Sequence, residues 1–351
     1  MATLAARIEE GRPPRATAKP IVGVIGHGYW GPNVARNLHN CENCQLRAIC
    51  DTNPARLQGA RQAYPGVELT TNCGDLLTST QIDAIAVVTP VWTHFDLAKA
   101  ALQNGKHVFV EKPFTSTPQQ AEELIELATR NKLKIMVDHT FLFTGAVKKI
   151  RQLVDEGMLG ELYYYDSTRV NLGLFQHDVN VAWDLAPHDL SIMDYIIPKE
   201  PEAIVATGER HLNGCVDVAY ITVYFPGNVI AHINVNWLSP VKVRTTLIGG
   251  EKRMLVWNDL EADEKLKVYD KGVQMKNGNE IHQLLVSYRS GDMWAPKVEQ
   301  TEALKAEMDY FIDCILNDRT PINDGAAGLR VVKMLEAIDH SLKQRGEITR
   351  L

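Results

Sequence analysis

Glu111-Lys112-Pro113 closes one apolar run, and Trp183-Asp184-Leu185-Ala186-Pro187-His188 opens an apolar, helix-like segment. Together they hold side chains able to move a proton and steady a charge. In an open α/β sheet, ligands lie beyond the carboxyl ends of the strands, so a lysine there reaches a cofactor or substrate. Pro113 restricts Lys112 to extended backbone, which fixes its direction. Asp184 and His188 are four residues apart, on one side of a helical turn, where a carboxylate can orient an imidazole. Such an imidazole is neutral near physiological pH and serves as a base. Pro187 suits the first turn of a helix continuing through Asp189 to Ile197. A plainer alternative makes Lys112 a surface residue before a turn, Asp184 a cap and His188 a satisfied buried histidine.

Gly26-His27-Gly28-Tyr29-Trp30-Gly31 follows the apolar run Ile21 to Ile25, and Asp51 closes the next apolar run twenty residues beyond Gly31. The first glycine permits a tight strand-to-helix turn, the second lets backbone approach a pyrophosphate, and the third lets helix and strand pack closely. The helix N-terminus then offers unpaired N–H groups to phosphate. Gly26, Gly28, Tyr29, Trp30, Gly31 and Asp51 are therefore the candidate dinucleotide site. A carboxylate at Asp51 accepts hydrogen bonds from the ribose and repels a 2′-phosphate, which favours NAD over NADP. Arg56 reads as a solvated residue of the following helix.

The elements that must position these groups fall into two rhythms. After a polar leader (residues 1–19) without regular structure, strands at Ile21–Ile25, Leu46–Cys50, Ala84–Val88, Val108–Val110 and Lys134–Val137 alternate with helices. Continuous apolar strands between amphipathic helices predict an N-terminal doubly wound parallel sheet over residues 20–140. Residues 141–351 read instead as an α+β domain with a large, mainly antiparallel open sheet. Its strands are expected near Leu162–Val170, Ala203–Gly208, Val216–Phe225, Val229–Trp237 and Val241–Ile248, and two helices close the chain near 301–345. Ile233, Val235 and Trp237 share one strand face, either a core face or an oligomer interface. Trp294 and Lys297 read as an irregular segment that lines an entrance.

Composition narrows the function classes. Across 351 residues, 37 Lys plus Arg against 43 Asp plus Glu give a net charge of −6, which offers nucleic acid no basic field. No apolar run reaches the roughly 18 residues of a membrane span, and no secretory hydrophobic block stands near the start, so the expected compartment is the cytoplasm. Cys41-Glu42-Asn43-Cys44 has half the spacing of a zinc site without a second pair, so no metal is expected.

The fingerprint, Glu111-Lys112-Pro113 and the D-x-x-x-H of Asp184 and His188, in that order, resemble the Gfo/Idh/MocA oxidoreductases over residues 20–350. Gly105-Lys106-His107-Val108-Phe109-Val110 and Leu159-Gly160-Glu161 extend the likeness. Arg169-Val170-Asn171-Leu172-Gly173 and the segment ending at His188 resemble a branch associated with sugar and nucleotide-sugar pathways. The resemblance implies a Rossmann domain, a second domain that supplies substrate contacts, and a homodimer or homotetramer. It also implies hydride transfer between a nicotinamide and a ring carbon of a sugar or nucleotide sugar. His188 would then be the acid/base, Lys112 would stabilise the reacting oxygen, and Asp184 would orient His188. Thr89, Pro90 and His94 resemble the family's nicotinamide-side loop, and Glu111 joins Lys112 at the cofactor. His139, Arg169 and Asn171 are the candidate substrate contacts, with Arg169 suited to phosphate or carboxylate. Two other activities fit the resemblance: an NAD-assisted sugar lyase or glycosidase that recycles its cofactor, and a non-catalytic dinucleotide-sensing regulator.

Overall fold

The structure, a computed structural model, describes residues 19–173, 179–212, 214–276 and 285–351. All but the last residue of the expected leader thus lies outside the described residues. The first half runs β1 (Ile21–Ile25), α1 (Gly31–Asn40), β2 (Gln45–Cys50), α2 (Leu57–Ala63), β3 (Glu68–Thr70), α3 (Gly74–Leu77), β4 (Ala84–Val87), α4 (His94–Gln103), β5 (His107–Val110), α5 (Pro118–Asn131) and β6 (Ile135–Val137). These strands form a six-stranded parallel sheet in the order β3-β2-β1-β4-β5-β6. Both faces are covered, which is why the strands are apolar at successive positions. Val22, Val24 and Phe109 face one core, Ile25, Ile85 and Val110 the other. The strand order reverses between β1 and β4, and a crevice opens at such a switch point.

The chain continues through α6 (Gly145–Asp155), β7 (Leu162–Leu172), α7 (Val181–Ile196), β8 (Ala203–Glu209), β9 (Val218–Tyr224), β10 (Ile230–Asn236), β11 (Leu238–Gly250), β12 (Met254–Asn258), β13 (Leu266–Lys276), β14 (Leu285–Trp294), α8 (Ala303–Leu316), α9 (Gly325–Lys343) and β15 (Thr349–Arg350). Among the described residues its sheet has nine strands, ordered β14-β13-β12-β11-β7-β10-β9-β8-β15. Pairing is antiparallel except between β7 and β10. Ile233, Val235 and Trp237 are buried in the core, which settles the two readings of that face. The opposite face exposes Tyr220, Tyr224 and Ile230.

Two local expectations change. Pro187 lies inside α7, whose start is set earlier by Asn180: its side-chain oxygen accepts from the N–H groups of Ala182 and Trp183 at 3.0 and 3.1 Å. Asp339 of α9 fastens that end through Asn180 (2.8 Å) and Trp183 Nε1 (3.0 Å). Trp294 ends β14 rather than lying in an irregular segment, and the Arg253 guanidinium stands 5.5 Å from its ring. Lys297 does lie beyond regular structure, on a cavity shared with Gly145 and Asp259.

Helix α8 returns to the first sheet. Glu302, just before it, pairs with Arg36 of α1 at 2.5 Å and accepts from Asn37 at 3.0 Å, while Phe311 meets Phe109 at 5.8 Å between ring centroids.

Candidate active site

The glycine loop has the geometry its spacing requires. Gly26 adopts φ +100°, and a Cβ there would meet the Val88 carbonyl oxygen at 2.2 Å; at Gly31 it would meet the Gly26 oxygen at 2.4 Å. At Gly28 the nearest atom is the tip of Arg56, 3.6 Å away, so backbone is open to an incoming group. Helix α1 starts at Gly31 with no side-chain cap, leaving its amides for an anion. Tyr29 projects into solvent, whereas Trp30 turns inward and donates from Nε1 to Asp138 at 2.9 Å. Asp51 is buried, accepting from His27 N at 2.7 Å and Asn53 N at 2.8 Å. Arg56 is not simply solvated: its guanidinium stands 3.6 Å from the Asp51 carboxylate. These features fit an adenosine diphosphate on the loop.

Beyond β4, Thr89 accepts from the Thr93 hydroxyl at 2.6 Å and Pro90 is exposed at the start of a 3-10 turn. His94 is fully buried, its ring nitrogens 2.9 Å from the Pro113 carbonyl and 2.7 Å from the Thr89 carbonyl. Burial lowers its pKa, so one nitrogen donates at a time. Its place is a brace between the Thr89 loop and the Lys112 loop, with no ring atom left for a dinucleotide.

Lys112 crosses to the second sheet's helix. Its Nζ donates to the main-chain carbonyl of Asp184 at 2.8 Å and lies 3.6 Å from that residue's carboxylate. The other Asp184 oxygen accepts from Trp237 Nε1 at 3.0 Å. The expected Asp184–His188 contact is absent among the described residues, and His188 Nδ1 is buried without a partner. Asp184 is occupied by Lys112 and Trp237 because both reach the first turn of α7. His188 packs edge-on against Phe141, centroids 5.0 Å apart. Burial first, then the charges of Lys112, Arg169 and Arg244, push its imidazole well below 6.5. The imidazole is therefore neutral at physiological pH.

The expected substrate contacts divide. Arg169 is buried and committed to Asp189: Nε donates at 2.6 Å and Nη2 at 3.3 Å, and Ser167 Oγ adds 2.6 Å. Ser167 and Arg169 alternate on the inner face of β7 and pin α7 at the residue after His188. Arg169 also stands 4.5 Å over the Phe141 ring. Its Nη1 is buried without a hydrogen-bond partner among the described residues. Asn171 is half-buried, folded over Gly173. His139 is buried, and burial lowers its pKa to about 4. It lines a cavity of about 180 Å³ with Arg151, Ser191, Asp194 and Arg330, both its ring nitrogens are buried without a partner among the described residues, and it stands near enough to feel the Lys112 charge and to act on His188. Glu111 touches Asp138, and burial together with that carboxylate raises its pKa well above 4.5.

Several participants carried no motif: Asp138, Phe141, Asp189, Trp237 and Arg244. An acid beside His188 in an otherwise apolar helix was the one available signal for Asp189.

Comparison with known proteins gives the same outline. Residues 21–139 match the Gfo/Idh/MocA model described as an oxidoreductase family with an NAD-binding Rossmann fold, and residues 147–256 match its C-terminal domain. The chain is 27% identical over 323 residues to the UDP-N-acetylglucosamine 3-dehydrogenase of Acidithiobacillus ferrooxidans, covering 88% of this chain and 93% of that one. It is 24% identical over 319 residues to the scyllo-inositol 2-dehydrogenase (NAD(+)) of Bacillus subtilis, covering 85% and 87%. Among solved structures, scyllo-inositol dehydrogenase from Lactobacillus casei with bound NAD(H) and scyllo-inositol superposes with a TM-score of 0.77 at 20% identity, over 95% of this chain and 99% of that one.

Proposed function

This chain belongs to the Gfo/Idh/MocA oxidoreductase family, with an NAD-binding Rossmann domain, and we propose that it oxidises or reduces a ring carbon of a sugar or nucleotide sugar. The observation that carries the reading is convergence: Lys112 of the first sheet contacts the helical turn that bears His188. Gly26, Gly28, Gly31 and Asp51 would hold NAD, which when bound supplies the hydride acceptor or donor. His188 removes the hydroxyl proton on oxidation and returns one on reduction. The Lys112 ammonium binds the reacting oxygen and stabilises its negative charge, a term that often dominates the acceleration. Asp184 acts on Lys112, which it holds from two sides, and offers its half-exposed turn to a neighbouring hydroxyl. Charge from Lys112 and Arg244 around His188 suits a substrate with an anionic portion, such as a nucleotide diphosphate.

The open face bearing Tyr220, Tyr224 and Ile230 suits a second copy of this chain, as in a homodimer or homotetramer. The enzyme would work in the cytoplasm; among the described residues no helix is long and apolar enough to cross a membrane. The test is a spectrophotometric screen of inositols, free sugars, sugar phosphates and nucleotide sugars with NAD and NADP, paired with product analysis. Turnover lost in both Lys112→Ala and His188→Ala is expected. Near-normal turnover in both variants overturns the assignment, and altered sugar without net NADH points to internal cofactor recycling.

A further inference from the structure

Asp138 follows β6, is 2% exposed, and receives hydrogen bonds from four directions. Trp30 Nε1 donates to one carboxylate oxygen at 2.9 Å and the Thr140 hydroxyl to the other. The side chains of Glu111 and Glu307 bond to it as well. Burial first, then the nearby Asp138 charge, raises the pKa of both well above 4.5, which favours the protonated carboxyl that can donate to Asp138. Asn323 anchors Glu307, donating from Nδ2 to its Oε1 at 2.9 Å and to the Val137 carbonyl at 2.6 Å. A carboxylate this deep is tolerated only when donors surround it.

Each donor belongs to a different part of the machinery. Trp30 ends the glycine loop; Glu111 precedes Lys112. Thr140 begins the 3-10 turn Thr140–Phe143, which presents Phe141 to His188. Glu307 lies on α8, the helix that returns from the second sheet.

We propose that Asp138 is a positioning residue for the redox site, its single carboxylate holding the glycine loop, the Glu111-Lys112 turn and the wall behind His188 in one register. This rests on the reading of the site as an NAD-dependent one. It gives Trp30, an expected cofactor contact, a role through Asp138 rather than by touching the dinucleotide alone.

The test is a double-mutant cycle on NAD affinity, measured by calorimetry on the full chain without any sugar substrate. Asp138→Asn and Trp30→Phe are each expected to weaken NAD binding about tenfold, the scale of one lost hydrogen bond to a charged group. The double variant is expected to bind no more weakly than either single one. Wild-type affinity in Asp138→Asn, or losses that simply add, overturns the proposal. Should Asp138→Asn not fold, Glu307→Gln keeps an N–H donor toward Asp138 and should bind NAD as the wild type does, whereas Glu307→Leu should bind it less tightly. Equal affinity in the leucine variant and the wild type overturns the proposal too. A wild-type chain that binds no NAD refutes the redox reading itself, and the positioning role with it.

Discussion

The Lys112 ammonium donates to the main-chain carbonyl of Asp184 at 2.8 Å, a bond that joins the loop after β5 to α7 at the point where chemistry is expected. A carbonyl acceptor leaves other ammonium hydrogens for a substrate oxygen, since lysine carries three donors. Lys112→Ala should therefore lower kcat about 10²- to 10³-fold, in line with removal of one charge-stabilising donor, while circular dichroism stays unchanged. Lys112→Arg should recover little, because a planar fork cannot replace a point charge held between a carbonyl and a carboxylate. Steady-state kinetics on the best substrate of the screen checks both.

His188 ties activity to pH with a defined sign. Its folded pKa lies well below 6.5, so the base is in working form across neutral pH and the acid limb of kcat/KM should fall below pH 6.5. The same shift acts on folding: the unfolded chain takes up a proton near 6.5 that the native chain refuses. Its contribution to stability is therefore present above pH 6.5 and lost as pH falls toward the folded value. His188→Asn should cut kcat about 10²- to 10⁴-fold and flatten the loss of urea stability between pH 7.5 and pH 5.

Arg169 and Asp189 form a buried pair, with side chains 5% and 2% exposed. Removing one partner leaves the other charged and unpaired, so Arg169→Leu or Asp189→Leu should each cost about 3–5 kcal/mol. The double variant Arg169→Leu/Asp189→Leu should recover much of that loss. Urea denaturation of all three separates this bracing role from substrate contact, which would show as a KM increase with unchanged stability.

Much of the fold was legible because it is written in local patterns. The glycine spacing, the apolar runs of β1, β4 and β5, and the turn at Pro226-Gly227-Asn228 each follow from a few neighbouring residues. Three consecutive strands at one end of the second sheet, β12 to β14, carry a weaker pattern, since Lys267, Asp270 and Lys271 break the alternation of β13. At the site, Lys112 and His188 stood out through type and spacing. Their partners did not: Asp184 is claimed by Trp237, fifty-three residues away, and Arg169 by an acid on another element. A sequence shows which residues are four apart on a helix, but not which competitor arrives from a distant strand.

Glu307 supplies a pH test independent of catalysis. Burial and the neighbouring Asp138 raise its pKa well above 4.5, so the native chain keeps a proton that the unfolded chain releases above that value. Its contribution is full below pH 4.5 and is lost as pH rises toward the folded pKa, at about 1.4 kcal/mol per pH unit. Glu307→Gln is neutral in both states, so its melting temperature relative to wild type should climb between pH 5 and pH 8.5. A constant difference across that range would mean that Glu307 is ionised in the native chain.

Cofactor preference should turn on Asp51 and Arg56 together. Asp51 organises the glycine loop through His27 N and Asn53 N, and its charge faces Arg56 at 3.6 Å. In the wild type the carboxylate repels a 2′-phosphate and also engages the Arg56 guanidinium. Asp51→Ser removes the repulsion and releases Arg56, so the ratio of kcat/KM for NADP to that for NAD should rise by about tenfold or more, the equivalent of roughly 1.4 kcal/mol. Both values should fall in absolute terms, because the loop loses its carboxylate acceptor. Adding Arg56→Ala should remove the gain for NADP and leave the NAD value close to that of Asp51→Ser. If the double variant keeps the gain, Arg56 takes no part in the preference and the repulsion from Asp51 alone accounts for it.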